Sequence, residues 1–140
     1  MSLNLMNPIR QVMREDPILQ TVVGYDQDGE VKVYTSVGKS DAEAPWVVLT
    51  MLSSTGPTGT YGDDYVWEPF QMQVSSWGSS ERHAWQVADV VDDAILKAPS
   101  WSFEPYYLAK VMRSSTPMPL PDRDTNLVQI LVLYTFMIGR

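Results

Sequence analysis

Cysteine is absent from the 140 residues, and with it go disulfides, zinc–thiolate sites, iron–sulfur clusters and cysteine nucleophiles. Positive charge is sparse. Ten Lys and Arg stand against 17 Asp and Glu, a net charge of −7. A nucleic-acid reader needs a Lys/Arg-rich face to neutralise phosphates, so sequence-specific DNA or RNA binding is not expected. An acidic wall still suits a surface that DNA passes without being held, because it repels phosphate. Long apolar runs are also missing. The longest, LVLYTFMI at 131–138, falls well short of the roughly 20 residues a membrane helix requires. The opening MSLNLMNPIRQVMRED lacks the basic-then-apolar order of a signal peptide. A soluble chain made inside the cell, with no membrane partner, is expected.

Apolar residues make up 44% of the chain, with five Trp and seven Tyr, enough to build the core of one domain spanning residues 1–140. Asn7-Pro8 reads as a helix start, and Ile9, Val12 and Met13 recur at helical spacing until Asp16-Pro17 ends the segment. ILQTVV at 18–23 extends it by a turn before Gly24. EVKVYTS at 30–36 alternates like a strand, and WVVLTML at 46–52 is a strongly apolar one. YVWEPFQMQVSSW at 65–77 places Trp67, Gln71 and Gln73 on one face and Phe70, Met72 and Val74 on the other; its Pro69 suggests an edge or a bulge.

Residues 80–97 form the clearest helix. Ser80 caps it, and Ala84, Val87, Ala88, Val91, Ala94 and Ile95 make one stripe. YYLAKVMR at 106–113 fits a short strand, TPMPLPDRD at 116–124 a proline-punctuated loop, and LVQILVLYTFMI at 127–138 a long strand apolar on both faces. Such a strand is central, or has its second face covered by another subunit. The expected fold class is α+β: an antiparallel sheet of about four to five strands, two helices on one face and a long β-hairpin loop.

The stretch SSTGPTGTYGDDY at 53–65 resembles a phosphate-binding loop, since glycines follow an apolar strand. A Walker-type cradle needs a Lys and a following helix. No Lys occurs between residues 40 and 96, and Asp63-Asp64 lead into another strand. The stretch reads instead as a hairpin tip, mobile in a free subunit, with Tyr61 and Tyr65 as contacts and Asp63 and Asp64 near a neighbour or a lumen. His83 is the single histidine; without a G-x-S-x-G elbow it is better explained as an exposed helix residue than as part of a triad. Asp89, Asp92 and Asp93 fall largely off the apolar stripe. They fit a solvated face, or contacts to Arg82, Arg113 or Arg123 of a neighbour; a hard-cation site is the remaining alternative, without EF-hand spacing to support it. Trp67, Trp77, Trp85 and Trp101 exceed what so small a core can bury with every indole N–H paired. They seal the helix–sheet seam or meet a partner. No catalytic, cofactor or metal constellation is expected, and the chain does not read as an enzyme.

The order of segments resembles the tail completion, or tail terminator, proteins of long-tailed bacteriophages. The likeness runs from MREDPILQTVVG through APWVVLTMLSS, a variable glycine-rich hairpin, FQMQVSSW and the helix SERHAWQVADVVDDAIL to the long apolar strand. The resemblance implies a structural role in the virion neck, with assembly in the host cytoplasm. It implies a homo-oligomeric ring, usually of six copies, that ends tail-tube polymerisation and joins the head–tail connector while DNA passes through its lumen. Tyr61, Asp63, Asp64, Tyr65, Trp77, Trp85, Asp89, Asp92 and Asp93 are the candidate contacts. The alternatives are a head-side connector or head-closure protein and, from another class, a small metal-dependent hydrolase using the Asp cluster.

Overall fold

The computed structural model describes residues 5–36, 43–54, 58–59, 66–103 and 106–139. The first helix ends before Asp16-Pro17, as expected, and the same pair also starts a second one. Helix α1 (Met6–Arg14) buries Met6, Ile9 and Met13, and a separate α2 (Pro17–Val23) follows. The Asp16 carboxylate accepts from the backbone N–H of Ile18 (3.0 Å) and Leu19 (3.1 Å), while Pro17 occupies the first helical position. Gly24 then leaves the helix at φ 72°, a left-handed conformation that favours glycine.

The sheet is larger than the sequence suggests, with eight strands among the described residues in place of four or five, and three α-helices in place of two. Strand β1 (Val33–Thr35) lies parallel to β2 (Trp46–Ser54); the other pairings are antiparallel. The expected all-antiparallel sheet is therefore mixed. β2 and the two-residue β3 (Thr58–Gly59) both pair with β4 (Val66–Gly78), giving the expected hairpin. Its tip lies outside the described residues. β4 is central, yet Pro69 does not disrupt it. β2 reaches no further than Ser54 opposite Phe70, and β3 takes over at Thr58 opposite Trp67, so the proline falls between two stretches of ladder.

Helix α3 (Glu81–Ile95) buries the six residues of the predicted stripe. The Ser80 side chain accepts from the N–H of His83 at 3.2 Å, fixing the start of the helix. After a 3₁₀ turn at Ala98–Ser100 come β5 (Ser102–Phe103), β6 (Tyr106–Arg113), β7 (Met118–Asp122) and β8 (Leu127–Gly139). The main path is β1-β2-β4-β8-β6-β5. β7 corrects the expectation of a loop. β6 pairs with residues 134–139 of β8 and β7 with residues 127–131, so the two form one interrupted edge along β8. Between them the Ser114 N–H donates to Leu133 O (2.8 Å), and the Leu133 N–H donates to Ser115 Oγ (3.0 Å). Pro119 and Pro121 alternate, so both missing donors face one side, as an edge strand permits.

Val47, Leu49, Phe70, Met72, Val74, Ile130, Val132, Tyr134, Phe136 and Ile138 form one face of the sheet and share a core with α1, α2 and α3. The strand alternation read from the sequence is the one observed.

Candidate functional site

Residues opposite each other across a ladder share a face, so the register defines the side that no helix among the described residues covers. At its β2 end Trp46 and Trp77 stack with ring centroids 5.6 Å apart and planes inclined by 27°. Trp77 therefore finds a partner within its own chain. Towards β8 the face carries Gln73, Leu131, Leu133, Thr135 and Met137, and on β6 and β7 Lys110, Met112, Met118 and Leu120. Met118 is 54% exposed, Met112 40% and Leu120 36%. A depression of about 220 Å³ lies here, lined by Gln73, Ser115, Thr116, Met118, Leu131 and Leu133. It is an apolar surface with few charges, built by period-2 alternation in strands whose other side is the core. The signal for β7 was present in MPLPD, where Met118 and Leu120 alternate with prolines, but proline composition reads first as a loop.

The opposite surface of the molecule is the outer side of α2 and α3. Asp89 and Asp93 are exposed there, as the helix pattern predicts. Asp92 is not simply solvated. Its Oδ1 accepts a 2.7 Å hydrogen bond from the Tyr134 hydroxyl, tying α3 to the centre of β8. Burial, reinforced by that bond and by the carboxylate's charge, raises the Tyr134 hydroxyl far above its ordinary value of 10.0. One member of the Asp trio is thus a strut between helix and sheet. Among the described residues no group of three or more His, Asp and Glu converges as a metal site.

Trp85 is half-buried against the core, its indole N–H 3.5 Å from Glu81 Oε1. Trp101 packs there as well, so two of the surplus tryptophans seal the seam. His83 Nδ1 lies 3.2 Å from Ser79 Oγ at the exposed start of α3. No carboxylate among the described residues is hydrogen-bonded to His83. Tyr61, Asp63, Asp64 and Tyr65 lie outside the described residues, as does the side chain of Trp67.

Charges near α1 have structural work that sequence reasoning missed. Arg14 Nε donates to Val33 O (3.0 Å), its guanidinium lies 3.6 Å from Glu30, and it sits over the Tyr34 ring. Desolvation lowers the Arg14 pKa, with Arg10 adding to the effect. The Lys32 ammonium donates to Glu43 O, and burial lowers its pKa.

No family model matches the chain, and no curated protein matches it. Among solved structures, a chain from the virion of a native gene transfer agent particle superposes with a TM-score of 0.70. The match covers 94% of this chain and 92% of that one at 14% identity. A second solved chain gives a TM-score of 0.50 at 16% identity, with 97% and 96% coverage. At these identities the likeness establishes a shared fold over nearly the whole length.

Proposed function

We propose that the chain is a structural subunit of a phage-like virion, and within it the tail terminator. A hexameric ring of copies would cap the tail tube, end its polymerisation and join the head-side connector, with DNA passing through the lumen. The role is non-enzymatic. The observation that carries this reading is the fold shared from end to end with a chain of the gene transfer agent virion. The order of sequence segments, which resembles tail terminators, supports the finer assignment. The uncovered apolar sheet face fits a protein that works in an assembly.

The test is to add the purified chain to polymerising tail-tube protein from the same particle and to locate it by cryo-electron microscopy. Tubes that stop growing and carry a ring at the head-proximal end are expected. Tubes that grow unchanged, with the chain found only on tail-less heads, would shift the assignment to a head-closure protein. Absence from both heads and tails would remove the virion role.

A further inference from the structure

The uncovered sheet face and the outer side of the helices lie on opposite sides of a two-layer molecule, and they differ in charge. Residues 105–140 hold four basic residues and two acidic ones, whereas residues 1–104 hold six basic and 15 acidic. The basic excess is built into the β6–β8 edge. Lys110 lies on the uncovered face among the exposed methionines, Arg113 ends β6, and Arg123 sits in the turn after β7. Of the two acidic residues at that end, Asp122 accepts from the Asp124 N–H and the Thr125 hydroxyl and is occupied by its own turn, while Asp124 is exposed next to Arg123.

Across the molecule, α3 carries four acidic residues and one arginine. Arg82 and Lys97 stand at its two ends, leaving Asp89 and Asp93 exposed in the middle. That surface also has an apolar component. Ile18 is 60% exposed and Leu96 47%, and a small notch between α2 and α3 is lined by Asp16, Ile18, Val90, Asp93, Ala94 and Lys97, two carboxylates to one ammonium. Neither Lys110 nor Asp93 forms an ion pair with another described residue.

We infer that the occupant of the uncovered sheet face is a second copy of this chain, docked through the outer side of its α2 and α3. Methionines 112 and 118 of one copy lie against Ile18 and Leu96 of the next, and Lys110 faces Asp89 and Asp93. Two different patches meeting in this way make a heterologous contact, which repeats from copy to copy and closes into a ring when the rotation permits. A face-to-face pairing of two sheet faces would instead bring both copies of Lys110 into one interface and leave the acidic helices without a counter-charge. The inference rests on the ring reading above and adds to it the two surfaces that make the ring.

The cysteine-free chain allows a direct test. The double variant Met118→Cys/Asp93→Cys, oxidised as free chain at high concentration and within assembled particles, is expected to give a ladder of covalent multimers on a non-reducing gel. Each single variant should stay monomeric on that gel. A charge-reversed pair provides an independent readout. Lys110→Glu chains and Asp89→Lys/Asp93→Lys chains should each associate at least tenfold more weakly than wild type, and a mixture of the two should recover. Dimers from Met118→Cys alone would overturn the head-to-tail contact in favour of a face-to-face one. Multimers in light scattering without any ladder or charge effect would overturn these surfaces while leaving the ring intact. A chain monomeric both in solution and in particles would overturn the ring itself.

Discussion

Tyr134 is nearly inaccessible to solvent, and its hydroxyl has a carboxylate partner on α3. A buried hydroxyl left without a partner costs about 1–3 kcal/mol. Asp92→Ala is therefore expected to destabilise the fold by about that amount in urea unfolding. Tyr134→Phe should cost no more, since it leaves Asp92 half-exposed to water. In the double variant the two losses should not add, because they remove the same bond. The bond also sets a pH dependence. The folded-state pKa of Tyr134 is raised above its ordinary 10.0, so its contribution is full below pH 10 and is lost as pH rises beyond that value. Wild type should lose stability on the alkaline side, and Tyr134→Phe should flatten that limb relative to wild type. Equal alkaline slopes in the two proteins would show that Tyr134 is not the group responsible.

At the scale of elements, the junction of β4 and α3 leaves no room for a side chain at Gly78. A Cβ at Gly78 would collide with the backbone N of Ala84 and come within 2.9 Å of Ala84 Cα and His83 C. Gly78→Ala is expected to destabilise by about 3 kcal/mol in thermal or urea unfolding, since backbone must move. Ser80→Ala, which removes only the cap two residues on, should cost about 1 kcal/mol. Much of this level was legible in the sequence. The α3 stripe, its Ser80 cap, the alternation of Phe70, Met72 and Val74 and the long β8 all rest on periodicity, which local physics enforces. What periodicity cannot supply is the identity of partners across the chain. Asp16 reads equally as a stop and as a cap until the following N–H groups are seen to bond to it. β7 is a strand because β8 offers it an unpaired edge. Asp92 lies off the apolar stripe, and only the register of β8 reveals the tyrosine beneath it. Of the candidate contact residues, Asp89 and Asp93 stand exposed as read, whereas Trp77 and Trp85 find neighbours within the chain.

At the scale of the whole molecule, the head-to-tail contact inferred above would give association a particular salt response. Ion pairs at a partly exposed interface weaken as the screening length falls from about 10 Å at 0.1 M salt to about 3 Å at 1 M. Association measured by sedimentation should therefore weaken with added NaCl but not vanish, because the methionine contacts are apolar. β8 carries a consequence of another kind. It follows in sequence every strand it joins, yet it lies between β4 on one side and β6 and β7 on the other. Gly78 pairs with Val128, and Trp67 with Gly139, so the central ladder is closed by contacts between residues far apart along the chain. Folding topologies of this kind are slow, because loop entropy is lost before the contacts form. The β2–β4 hairpin can form locally, whereas until β8 arrives β7 has no partner strand among those described and β6 has only the two-residue β5. Pulsed hydrogen exchange during refolding should show amides of β6 and β7 becoming protected together with those of β8 and later than the hairpin. Protection of β6 ahead of β8 would contradict this order. Until that closing step two strand edges stand open, and a folding chain with open edges is at its most prone to join the wrong neighbour.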